Sequence, residues 1–157
     1  MSTAQIILAA AAVVIVAAVL VIRVKRISPL GWGWYGKIQT MDGFAVAGYD
    51  PVAYFDGKSL RGDPAVSLEW NGVRWLFASV ENRARFQADP ARFEPQFGGF
   101  CSYASSKGFT AKIDPTAFRV EDGKLFLFND ASMRDRWIAE LGDGVIDRGR
   151  KNWKSRP

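Results

Sequence analysis

The stretch Val66-Ser67-Leu68-Glu69-Trp70-Asn71-Gly72-Val73-Arg74-Trp75-Leu76-Phe77-Ala78-Ser79 decides the fold class. Val66, Leu68 and Trp70 alternate with polar positions up to Asn71-Gly72, and Val73, Trp75 and Phe77 alternate beyond it. Alternation places one set of side chains on one face of a strand. Asn-Gly tolerates the two positive φ angles of a type I′ turn, so the two runs are expected as a hairpin. Ser79 then offers an N-cap, with Glu81 in the positive first turn. The helix it starts runs through Arg83, Arg85 and Phe86 to stop at Asp89-Pro90. The stretch is a ββα unit.

Working outward, a second hairpin is expected beyond Asp114-Pro115, with Phe118 and Val120 leading to Glu121-Asp122-Gly123 and Leu125 to Phe128 returning. Ala131 to Leu141 reads as a closing helix, with Met133, Trp137, Ile138 and Leu141 at helical spacing. The two hairpins have similar size, but no internal repeat of useful length is read. Upstream, Asp50 is expected to cap a turn in Gly48-Tyr49-Asp50-Pro51, and Pro51 to open a short helical turn through Phe55. Pro95 to Gly108 reads as a glycine-bearing loop. The fold class is α+β, a small domain of antiparallel hairpins and short helices.

Ahead of that domain, Ile6 to Ile22 are uninterrupted apolar residues between Gln5 and Arg23. As a helix they span about 25 Å, the short end of a membrane crossing. A cleaved signal peptide would want a basic start and a small-x-small cleavage site. Here no basic side chain precedes Ile6, and the run passes straight into Ile22-Arg23-Val24-Lys25-Arg26. The expectation is one retained transmembrane helix, with Arg23, Lys25, Arg26, Trp32, Trp34 and Tyr35 at the membrane interface. Basic residues after the span favour a cytoplasmic domain on the inner membrane, with a periplasmic domain as the alternative. The chain divides into anchor and basic flank (1–26), juxtamembrane linker (27–41), domain (42–145) and basic tail (146–157).

Composition excludes much chemistry. The 157 residues hold no histidine and one cysteine, Cys101, so Ser/His and Cys/His nucleophile pairs, His-ligated haem and Cys/His zinc cages are out of reach. No disulfide can form within the chain. The formal net charge of +5 lies wholly after position 22 and suits an anionic surface, of which the lipid bilayer is the nearest. Arg148, Arg150, Lys151, Lys154 and Arg156 concentrate it at the tail. No nucleic-acid-binding or nucleotide-binding pattern accompanies the charge. No cofactor and no metal are expected.

Three runs carry a family resemblance: GYDPVAYF (Gly48 to Phe55), WNGVRWLFASVENRARFQADPARFEPQFGGFCSYA (Trp70 to Ala104), and DPTAFRVEDGKLFLF (Asp114 to Phe128). Together they resemble the bacterial YHS-domain family, over nearly all of residues 42 to 130. The resemblance implies a hairpin leading into a helix. It also implies metal-associated relatives with thiols at that turn, but Phe77 to Asn82 carry none and the family's histidine is absent. Relatives keep the GGxC run and include proteins thought to hold selenocysteine there, which makes Cys101 the catalytic candidate.

Gly98 and Gly99 permit close backbone approach to a partner, and amides beside a thiol favour its thiolate. The opposing reading makes Cys101 a small buried hydrophobe. Tyr49, Asp50 and Tyr54 are candidate binding residues, grouped with Tyr103 around a shallow pocket near Cys101; alternatively Asp50 caps a turn and the tyrosines are packed aromatics. An oxygen-ligand or anion site around Asp50 and Gly98-Gly99 is a third reading. The expected function is a membrane-anchored binding or accessory module, a small subunit of a larger integral membrane protein complex. The alternative is a thiol redox protein using Cys101.

Overall fold

A computed structural model describes residues 2–33 and 35–156, the Trp32 side chain aside. Trp34 and the Trp32 side chain, both expected at the membrane interface, lie outside the described residues. The helix α1 (Thr3–Lys25) begins with a capping box in which Ser2 N–H donates to Gln5 Oε1 at 2.8 Å and Gln5 N–H donates to Ser2 Oγ at 3.4 Å. Its 23 residues extend about 34 Å, past both ends of the apolar run. Arg26 ends it in the left-handed conformation, and Ile27 N–H reaches back to Ile22 C=O at 3.0 Å. No residue of α1 is buried against the domain, and the helix is long and apolar enough to cross a membrane.

The domain begins at the foot of that helix. Strand β1 (Ser28–Pro29) pairs antiparallel with β6 (Phe109–Thr110), and Lys112 N–H donates to Lys25 C=O at 2.9 Å. The 27–41 segment expected as a linker is therefore held by backbone hydrogen bonds. Strands β2 (Thr40–Met41) and β3 (Phe44–Ala45) form a small hairpin, and β3 joins the first long hairpin through one parallel pairing, Phe44 with Arg74.

The two ββα units are copies of one another, against the expectation of no useful repeat. In the first, β4 (Asp63–Trp70) and β5 (Val73–Phe77) lead into α2 (Val80–Ala88). In the second, β7 (Asp114–Glu121) and β8 (Lys124–Phe128) lead into α5 (Ala131–Ala139). Every boundary is displaced by 51 residues. Both hairpins are antiparallel and bulged after the first pair, Asp63 with Phe77 and Asp114 with Phe128. The turns Asn71-Gly72 and Asp122-Gly123 have positive φ at both residues, as a type I′ turn requires. Ser79 Oγ accepts from Asn82 N–H at 3.1 Å, and Asp130 Oδ1 accepts from Met133 N–H at 2.9 Å, so both helices are capped alike.

Each helix drives one aromatic into its own hairpin. Phe86 lies 5.0 Å from Trp75 and 5.3 Å from Phe77; Trp137 lies 4.7 Å from Phe126 and 5.3 Å from Phe128. Two cores result. The first contains Val52, Tyr54, Trp75, Phe77 and Phe86, and the second Cys101, Phe126, Phe128, Trp137 and Val145.

The repeat is linked by the short helix α3 (Pro90–Phe93) and by α4 (Ser102–Ser106), which lies where a loop was expected. The expected basic tail is a helix as well, α6 (Val145–Lys154). It packs on α4, with Val145 buried and Asn152 Nδ2 donating to the carbonyls of Ser105 and Ser106 at 3.0 and 3.1 Å. A Cβ on Gly149 would meet the Phe97 ring at 2.7 Å, so only glycine lets the helix approach so closely. Gly149→Ala is expected to lower the melting temperature of the full chain and loosen α6, read as faster amide exchange between 145 and 154 than elsewhere. Phe86→Ala and Trp137→Ala should each cost about 3 to 5 kcal/mol in urea unfolding.

Candidate functional site

The repeat extends upstream of the hairpins. Val46-Ala47-Gly48 has φ of 51°, 54° and 77°, and Phe97-Gly98-Gly99 has 55°, 58° and 81°, three consecutive left-handed residues in each copy. These turns deliver Asp50 and Cys101 to equivalent places. Asp50 N–H donates to Leu60 C=O at 2.9 Å, and Cys101 N–H to Ala111 C=O at 3.1 Å. The one acid and the one thiol that sequence reasoning singled out are the same position of a duplicated structure.

Asp50 is fully buried and fully used. Its Oδ1 accepts from the amides of Val52 at 2.8 Å and Ala53 at 3.4 Å. Its Oδ2 accepts from Ala78 N–H at 2.8 Å and Asn82 Nδ2 at 2.7 Å. Four donors compensate the desolvation of a buried carboxylate and tie the turn to the first hairpin and its helix. Asp50 is thus the turn cap of the sequence reading, with two further bonds that join distant elements.

Cys101 is 1 % exposed, in agreement with the reading of it as a small buried hydrophobe. Burial pushes its pKa above the ordinary 9.0, and the backbone amides of Ala104, Asn129 and Tyr103 oppose that rise. Those three residues are the counterparts of Ala53, Ala78 and Val52. The counterpart of Asn82 is Met133, so the fourth donor is missing, and a mostly apolar cavity of about 220 Å³ opens beside the sulfur. Lys25, Ile27, Asn129 and Met133 border it. A neutral thiol in such a place is a weak nucleophile at neutral pH.

Of the remaining candidates, Tyr103 lines that cavity together with Cys101, whereas Tyr49 and Tyr54 do not join them. Tyr54 and Tyr49 pack in the first core, Cys101 and Tyr103 in the second. Tyr54 O–H donates to Pro115 C=O at 2.8 Å, and burial pushes its pKa far up. Tyr49 lies under the Arg61 guanidinium at 5.7 Å. Tyr103 O–H donates to Glu140 Oε1 at 3.0 Å, and Lys107 and Arg148 bind the same carboxylate.

Gly98 does permit close approach, but to the chain itself: a Cβ there would sit 1.9 Å from Lys37 O, and Gln39 N–H donates to Gly98 C=O at 2.8 Å. A Cβ on Gly99 would lie 3.3 Å from Pro95. At the carboxy-terminal end of α1, Arg23 and Lys25 occupy the last turn, while Arg26 donates to Thr40 C=O and lies 6.0 Å from the Tyr35 ring. Among the described residues, no three His, Cys, Asp or Glu side chains gather as a metal site. Sequence reasoning missed the roles of Ala78 and Asn82, which enter only because residues far apart in the chain meet.

Comparison with protein-family models, with curated proteins and with solved structures finds no match to this chain.

Asp50→Ala strands four donors, two of them on the buried residues Val52 and Ala53, and is expected to cost about 3 kcal/mol or more in chemical unfolding. Cys101→Ala should cost no more than about 2 kcal/mol. Native Cys101 is expected to resist iodoacetamide at pH 7 and react on denaturation. Because its pKa is raised on folding, the stability held by the protonated thiol is complete below about pH 9 and falls as pH rises further. Cys101→Ala should make that alkaline fall shallower.

Proposed function

We propose that the chain is a single-pass membrane protein whose YHS-like domain works as an accessory module, binding a larger integral membrane protein. The carrying observation is the continuity of anchor and domain. The helix α1 has no buried residue, yet at its end Lys25 C=O accepts from Lys112 N–H, Arg26 C=O accepts from Thr110 Oγ1, and Arg26 donates to Thr40 C=O. A partner helix lying against α1 would therefore set the position of the domain as well. The basic residues Arg23, Lys25 and Arg26 support a cytoplasmic domain on the inner membrane.

The cavity beside Cys101 favours the thiol redox alternative, and the burial and raised pKa of that thiol weigh against it. Extraction of the full chain in mild detergent, followed by native mass spectrometry, separates the two. A stoichiometric membrane partner is expected. A lone chain whose thiol alkylates quickly at neutral pH would overturn the accessory reading and favour redox chemistry. A reporter active only after export, fused to the carboxyl terminus, is expected to be silent.

A further inference from the structure

The helix α6 forms one wall of a cleft of about 950 Å³, faced by residues 36–38 and by the tip of the first hairpin. Lys37, Arg150, Lys154 and Arg156 line it, with Glu94 as the one carboxylate among the lining residues. Burial raises the pKa of Glu94, and Lys124 opposes the rise. Lys37 and Lys154 are exposed and pair with no carboxylate among the described residues, and Arg150 has only the exposed Asp147 at 3.3 Å. Such an exposed pair contributes little.

Arg156 is held in place. Its Nη2 donates to the carbonyls of Tyr35 and Gly36, and its guanidinium lies 4.7 Å from the Trp153 ring and 5.2 Å from Phe100. Its Nη1 is buried without a partner among the described residues. Four cations around one concave surface repel one another and concentrate anions.

One residue connects the cleft to the end of α1. Tyr35, whose carbonyl holds Arg156, carries the ring that lies 6.0 Å from Arg26, the residue that ends α1. Side chains that border the cleft are thus linked through one residue to the membrane exit. Headgroups of the same bilayer are present there at an effective concentration that a dissolved anion does not match.

We propose that this cleft binds the phosphate-bearing headgroup of an anionic lipid from the bilayer in which α1 sits. Lys37 and Lys154 supply the free positive charge, Arg156 a fixed guanidinium, and Trp153 an aromatic surface of the kind that favours the headgroup region. The inference rests on the reading of α1 as a membrane anchor and is independent of any protein partner.

The test uses the full chain in nanodiscs of phosphatidylcholine with and without phosphatidylglycerol, released into mild detergent for native mass spectrometry of retained lipid. The unmodified chain is expected to retain phosphatidylglycerol in preference to phosphatidylcholine. The double variant Lys37→Gln/Lys154→Gln should bind it about thirtyfold more weakly, with an unchanged melting temperature. Lys58→Gln, outside the cleft, should behave as the unmodified chain.

Equal retention of the two lipids, or unchanged retention in the double variant, would overturn the proposal. So would inorganic phosphate that binds the lipid-free chain through Lys37 and Lys154 while lipid retention ignores them, since the source would then be soluble. A chain that fails to enter the disc would refute the anchor and the proposal together. One that enters without lipid preference would refute the headgroup site alone.

Discussion

The strand β8, Lys124-Leu125-Phe126-Leu127-Phe128, is buried on both faces, and the two copies of the ββα unit meet through it. Leu125 and Leu127 pack in the first core, while Phe126 and Phe128 pack under Trp137 in the second. In the first copy the corresponding back face carries Ser67, Glu69 and Arg74, none of them buried, and of its four positions only Leu76 is buried. In the second it carries Phe118, Val120, Leu125 and Leu127, so it has to be covered. The cover is the first copy itself, with Tyr54 4.7 Å from Phe118 and hydrogen-bonded to Pro115. A few apolar-for-polar differences between two similar hairpins thus turn a tandem repeat into one domain with two cores.

The duplicated turn shows how environment decides what a polar position can do. Asp50 carries a charge into the interior and is tolerated because four donors meet it. Cys101 occupies the matching place as a neutral thiol, which has no such need, and Met133 in place of Asn82 leaves space beside it. The same backbone therefore serves as a structural clamp in one copy and as a cavity-lined thiol in the other. Its burial makes the thiol a poor nucleophile by default.

The segment after α1 and the carboxy-terminal helix α6 meet on one side of the domain. The segment that leaves the anchor is stitched to β6, to Thr40 and to Gly98, and α6 closes over Phe97 through Gly149. Arg156 ties the carboxy-terminal end to Tyr35 and Gly36.

Local signals were strong enough to read the hairpins, the caps at Ser79 and Asp50, and the apolar anchor, because alternation, Asn-Gly turns and N-caps act over a few residues. The repeat escaped the sequence because it survives as a conformation, in Gly48 and Gly99, Asp63 and Asp114, Gly72 and Gly123, while most side chains between them changed. The helix α6 hid behind its charge: five basic residues from Arg148 to Arg156 read as solvated tail, and only Val145, Gly149 and Trp153 packing on distant residues make it a wall.

Amino-acid order alone determined the α+β class, the membrane-length helix, and the absence of imidazole chemistry. Tertiary structure decided that Cys101 is buried, that Asp50 is its counterpart, that Tyr49 and Tyr54 belong to another core, and that Gly98 yields to Lys37. Burial and proximity between residues far apart in the chain depend on how the two copies pack, and no local pattern of residues encodes that packing.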